Sequence, residues 1–125
     1  MAIGGDETWP TYADDEIAAV VEVMRSGRVN QWTGDTVSRF EAACADRFGG
    51  GRPVALANGS VALELPLRAF GIGPGDEVVT TPFSFVASSN CVLFEGATPV
   101  FADIEDETLG LDPERAADAV TERTR

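Results

Sequence analysis

Val54-Ala55-Leu56-Ala57-Asn58-Gly59-Ser60-Val61-Ala62-Leu63-Glu64-Leu65 is where the chain changes from one structural period to another. Val54–Ala57 is a short apolar run of the kind that forms a buried strand, and Val61–Leu65 joins helix formers with apolar spacing. Asn58, Gly59 and Ser60 between them predict a tight turn into a helix. The first N–H groups of such a helix have no intrahelical acceptor. With the Ser60 hydroxyl beside them they suit an anion, usually a phosphate. The same small polar residues also serve as an ordinary helix cap, so both readings stand at this point.

Working outward from that turn, strands and helices alternate. Strands are expected over Val54–Ala57, Glu77–Thr80 and Pro99–Ala102, and helices over Gly59–Phe70, Phe85–Glu95 and Pro113–Thr121. Such alternation predicts an α/β fold with parallel strands and right-handed crossovers. Asp112 before Pro113 reads as an N-cap followed by an N1 proline, and Ser84 as the cap of the helix after it. Pro66 falls inside a predicted helix, where it removes a hydrogen bond, so that helix is expected to kink or end early. Gly71-Ile72-Gly73-Pro74-Gly75 lies between a helix and a strand, which is the context of a helix stop and turn and not of a dinucleotide fingerprint.

Toward the N-terminus, Met1 to Ala13 reads as an extended arm. Asp14 or Asp15 then caps a helix whose Ile17, Val20, Val21 and Met24 form one apolar stripe ending at Gly27. A polar loop from Arg28 to Gly34 leads to a second helix over about Asp35 to Phe48. Gly49-Gly50-Gly51 makes a flexible joint after it.

Composition narrows the chemistry. A length of 125 residues fits one domain by size, and 44% hydrophobic with 24% charged residues is the profile of a globular protein. No apolar run is long enough to span a bilayer, and no export segment is visible. Cys44 and Cys91 sit in apolar contexts without metal or redox spacing, which predicts buried thiols in a reducing compartment. The net charge of −12 argues against a nucleic-acid or anionic-membrane surface. Histidine and lysine are both absent, all nine basic residues being arginine. The commonest general base and metal ligand is therefore missing, and no side chain can form a Schiff base. No metal site and no catalytic residue is expected within these residues.

In an open parallel sheet, ligands bind beyond the carboxyl ends of the strands. Asn58-Gly59-Ser60 marks one such end and Thr80-Thr81-Pro82-Phe83-Ser84-Phe85 another. A phosphate cradle beside a ring that can stack suits a phosphorylated flat heterocycle, such as a nucleotide or pyridoxal phosphate (PLP). Phe83 is expected in the core. Phe85 fits either the core or the ligand.

From Ile17 to the end, the chain resembles the N-terminal part of the DegT/DnrJ/EryC1/StrS family of PLP-dependent aminotransferases. The matching blocks are Arg25-Ser26-Gly27 with Phe40-Glu41, Ala57 to Leu65, Gly71 to Val78, Thr80 to Asn90, and Gly96 to Ile104. The form with Trp9-Pro10 and Asn58-Gly59 is similar to a branch serving amino-sugar, aminocyclitol and antibiotic-precursor pathways. The resemblance implies a fold class: α/β, the N-terminal part of the large domain of a fold-type-I PLP-dependent transferase, with parallel strands, crossover helices and an incomplete sheet. It also implies a division into an arm with two helices over 1–51 and a truncated PLP-binding domain over 52–125. Gly59 and Ser60, with Asn58 beside them, match the family's phosphate-binding turn, and Phe85 matches the residue that stacks on the cofactor ring. Asn30, Trp32 and Thr33 fall in the loop that approaches substrate in relatives. Asp103 is expected to be structural, since the family's pyridine-binding aspartate comes later.

The implied activity is transfer of an amino group from an amino-acid donor to a keto-sugar or cyclitol, often nucleotide-linked, by a cytoplasmic homodimer. Family enzymes are several-fold longer, and their Schiff-base lysine lies beyond the residues matched here. The chain is accordingly expected to be an N-terminal fragment, inactive alone, with Val54–Ala57 lacking its sheet neighbours and the isolated polypeptide poorly folded. A non-catalytic phosphate-binding or regulatory module is the alternative. A small nucleotide-dependent oxidoreductase lacks its glycine fingerprint in the right place.

Overall fold

The computed structural model describes residues 10–125, so the expected arm lies outside the described residues as far as Trp9. The chain divides into two compact units after Ala55.

The first unit holds α1 (Asp14–Ser26) and α2 (Thr36–Arg47). Asp14 and Asp15 are the first residues of α1 and not its cap. Ala13 precedes them, and the Glu16 carboxylate accepts its N–H at 2.7 Å. Three acidic residues in the first turn complement the helix dipole there. Gly27 closes α1 in the left-handed conformation that only glycine adopts freely. Among the described residues neither helix buries a side chain, and Cys44 is half-buried where burial is expected.

The second unit holds α3 (Gly59–Ala69), β1 (Glu77–Thr80), α4 (Ala87–Phe94), β2 (Thr98–Phe101) and α5 (Pro113–Asp118). β1 and β2 pair in parallel, from Glu77 opposite Thr98 to Thr80 opposite Phe101, and α4 is the crossover between them. A parallel bridge between Glu77 and Thr124 brings the chain after α5 against β1. α5 starts as expected, with Asp112 Oδ1 accepting the N–H groups of Glu114 (2.8 Å) and Arg115 (3.1 Å).

Four further expectations are corrected. Val54–Ala57 is not a strand. An apolar run needs a partner ladder, and here the Ala55 N–H donates instead to the Glu41 carboxylate at 2.9 Å. Of the kink or early end expected at Pro66, the early end does not occur, α3 running on to Ala69. The helix loses only the one hydrogen bond that the missing N–H would make, and the Phe70 N–H still reaches the Pro66 carbonyl at 2.9 Å. Ser84 does not cap α4, which begins at Ala87, and its hydroxyl lies 2.8 Å from that of Ser88. Phe83 is 63% exposed and outside the core. Its N–H bonds the Thr81 hydroxyl at 3.1 Å, which holds the chain in a local turn directly after β1.

The core is built from helix ends. At the end of α3, the N–H of Ile72 donates to Leu67 and that of Gly71 to Arg68, both at 3.0 Å. At the end of α4, the N–H of Ala97 donates to Val92 (3.2 Å) and that of Gly96 to Leu93 (3.0 Å). Both are Schellman motifs, with Gly71 and Gly96 at positive φ. That motif brings the residue after the glycine onto the helix's last turn. Leu67 with Ile72 and Val92 with Ala97 are those two pairs, and together with Cys91 and Val78 they make up the hydrophobic cluster.

Candidate functional site

The topology gathers one end of the second unit. α3 packs against α4, and α4 against both strands. Arg68, near the end of α3, bonds Glu95 at the end of α4 (Nη2–Oε1 2.9 Å) and Glu64 one turn back (2.8 Å). The Glu95 hydrogen bond, with the charges of both carboxylates, holds the guanidinium pKa above its ordinary value. An exposed ion pair of this kind contributes little to stability, but it fixes direction. With their C-termini joined, the two packed helices run the same way. The N-termini of α3 and α4 therefore share the end at which β1 and β2 finish.

Asn58 sits there as the N-cap of α3, its Oδ1 accepting the Val61 N–H at 3.1 Å. The next two amides, of Gly59 and Ser60, have no acceptor among the described residues. A Cβ built on Gly59 meets nothing within 4 Å, so the side of the turn that such an atom would occupy is open. Two N–H groups, one hydroxyl and a positive helix end form a donor set that fits a phosphate. The capping reading and the anion reading thus divide between residues: Asn58 caps, while Gly59 and Ser60 remain free.

At the same end, a recess of about 220 Å³ is lined by Thr81, Pro82, Ser84, Phe85, Val86, Ser89 and Phe101. Phe85 is 76% exposed, with its ring available for stacking. Asn58, Gly59 and Ser60 do not line this recess; they share its end of the unit without forming its wall. Asp103 behaves as a structural residue, its carboxylate accepting the Ile104 N–H at 2.8 Å and its carbonyl the Asp112 N–H at 3.0 Å.

Residues 10–125 match the model of the DegT/DnrJ/EryC1/StrS aminotransferase family. The chain belongs to that family. It is 43% identical over 116 residues to the spore coat polysaccharide biosynthesis protein SpsC of Bacillus subtilis, covering 93% of this chain and 29% of SpsC. It is 40% identical over 117 residues to 3-amino-5-hydroxybenzoate synthase of Amycolatopsis mediterranei, covering 94% of this chain and 30% of that protein. The fold superposes on the aminotransferase from Psychrobacter cryohalolentis with a TM-score of 0.92 and 39% identity, covering 95% of this chain and 30% of that one. The chain thus spans under a third of the length of these family members. The family's aminotransferases depend on PLP, and solved members include PLP and PMP forms. The α/β unit with its parallel strand pair is the corresponding part of those folds.

Asn30, Trp32 and Thr33 lie in the other unit, on a loop that braces itself. Asn30 Oδ1 accepts the N–H groups of Trp32 (3.0 Å) and Thr33 (3.2 Å), and the Asn30 carbonyl accepts the Gly34 N–H at 2.9 Å. Trp32 is left 96% exposed at its tip. A Cβ at Gly34 would stand 2.6 Å from the Arg28 carbonyl oxygen, so the turn closes only around glycine. Gly34→Ala is expected to force the turn open at a cost of about 1–3 kcal/mol, the usual range for overpacking. Amide exchange across residues 30–34 will then quicken roughly tenfold or more, while α1 is unaffected.

Sequence reading does not single out Glu77. It is buried at the head of β1 and accepts hydrogen bonds from Thr121 and Arg123. A glutamate flanked by strand residues looks solvated until its distant partners are known.

Proposed function

We propose that this chain is the cofactor-holding portion of a PLP-dependent aminotransferase. Its reaction would move an amino group from an amino-acid donor to a keto group on a sugar or cyclitol, often nucleotide-linked. The observation that carries the reading is the pair of unpartnered amides at Gly59 and Ser60, at the end of the unit where Phe85 presents its ring. In this reading Gly59, Ser60 and the helix dipole hold the phosphate, and Asn58 keeps the turn in shape. Phe85 covers one face of the heterocycle and excludes water from it. Asn30, Trp32 and Thr33 serve the substrate. PLP, when bound, supplies the electron sink for the transfer. The 125 residues contain no lysine, so the reading requires the Schiff-base amine to come from outside them, and these residues alone to be inactive. It takes 1–51 as an arm with two helices and 52–125 as the PLP-binding part of a cytoplasmic homodimer.

The test is a PLP titration of the protein as its gene encodes it, followed by absorbance, with phosphate-free pyridoxal as the control. Ser60→Asp puts a carboxylate in the first turn, where helices tolerate acids, yet sets it against the phosphate. PLP binding is expected to weaken roughly tenfold or more while pyridoxal binding is unchanged. Equal effects on both compounds would remove the phosphate role from this turn.

A further inference from the structure

One buried charge has no part in that site. Glu77 is only 6% exposed, yet it carries its carboxylate at the edge of β1 away from β2. Three donors from the chain after α5 converge on it: the Thr121 hydroxyl, Arg123 Nε at 2.9 Å, and Arg123 Nη2. The backbone repeats the contact. The Glu77 N–H donates to the Arg123 carbonyl (2.9 Å), and the Glu77 carbonyl accepts the Arg125 N–H (3.0 Å). We propose that Glu77 is a register clamp: its ionised carboxylate fixes the one alignment in which the segment from Arg123 joins β1 as a third parallel strand, and protonating it releases that segment.

Sequence alone leaves the alignment ambiguous. Arg123 and Arg125 are two residues apart, and a slip of two keeps the alternation of side chains, so it would put Arg125 where Arg123 sits. Only the observed register gives the carboxylate a hydroxyl and a guanidinium together. It also leaves Arg125 to face Asp76, at 3.7 Å. The Asp76 carboxylate is further engaged by the Gly73 N–H at 2.9 Å. α4 carries no Asp, Glu, Lys, Arg or His, its one ionisable group being the Cys91 thiol, and the β2 partner of Glu77 is Thr98. The Thr121 and Arg123 hydrogen bonds, together with the Arg123 charge, hold the Glu77 carboxyl below its ordinary pKa of 4.5 against the opposing effect of burial. A depressed carboxylate stabilises fully above its unfolded value. That contribution disappears as pH falls through the folded value, so release belongs to the range below 4.5.

Hydrogen exchange in the protein as encoded tests the clamp, read at the Arg125 amide. The Ala102 amide, bonded to Thr80 at 2.8 Å, is the internal control in the β1–β2 ladder. At pH 7, Glu77→Gln is expected to speed exchange at Arg125 roughly tenfold to a hundredfold and leave Ala102 alone. In the unaltered protein the same opening appears on acidification, and Glu77→Gln lacks that step. Arg125 exchange in Glu77→Gln within about twofold of the parent, with Ala102 protected, overturns the proposal. If Glu77→Gln loses Ala102 protection as well, Arg123→Gln decides, since it alters an exposed side chain: faster exchange confined to 121–125 supports the clamp, and unchanged exchange overturns it.

Discussion

Val92→Asp is expected to abolish exchange protection throughout the second unit, bringing the Ala97 and Ala102 amides close to the rates of an unfolded chain. Val92 is 1% exposed and is the largest side chain so completely enclosed among the described residues. Ile72, Cys91 and Ala97 surround it, with Leu67 and Val78 against the cluster. A carboxylate there would lose its hydration with no cation to pair. Arg68, at the end of the neighbouring helix, is already engaged by Glu64 and Glu95. Desolvating an unpaired charge costs several kcal/mol, against a total stability of about 5–15 kcal/mol for a typical domain. With so small a cluster, nothing elsewhere in the unit can offset that loss. Val92→Ala removes two methyl groups and leaves a void, which costs about 2 kcal/mol and should leave partial protection. Protection at Ala97 and Ala102 that survived Val92→Asp would show that the unit is held by something other than this cluster.

How much of this could be read from residues alone depends on whether the cause is local. β1 lies over Glu77–Thr80 as expected because a short β-branched run bounded by turn residues carries its own signal. α1 ends at Gly27 for the same kind of reason. Gly59 and Ser60 are legible as donors because the turn into α3 is a local event. Val54–Ala57 forms no strand because apolar residues report a tendency to be buried and not the presence of a neighbour to pair with; that its neighbours are missing is an implication of the family resemblance alone. Phe83 fails because the Thr81 hydroxyl, two residues away, redirects its backbone. Glu77 is illegible for the opposite reason: its partners lie 44 and 46 residues further along the chain. Phe85 sits between these cases. Its position after β1 is local, but its role rests on the family resemblance, and its exposed ring is consistent with that role.

A polypeptide of residues 1–125 produced alone is expected to bind a hydrophobic dye, associate at rising concentration and melt without a sharp transition. α1, α2, α3 and α5 bury no residue among those described. In the stripe that makes α1 amphipathic, Ile17, Val20 and Met24 are all at least half exposed and Val21 is half-buried, and Phe40, Phe48 and Phe70 are exposed as well. A monomeric protein rarely leaves contiguous apolar patches beyond a few hundred Å² uncovered. The opposing force is the net charge of −12, which keeps copies apart. Its reach is about 30 Å at 0.01 M salt and about 8 Å at 0.15 M, so salt should weaken the repulsion and leave the apolar attraction intact. Association is therefore expected to strengthen between those two ionic strengths, whereas pairing driven by opposite charges would weaken. Sedimentation across that range, with dye fluorescence and circular dichroism on the same samples, measures all three expectations. A monomer at both salts with one cooperative melt and no dye uptake would mean that these helix faces need no cover.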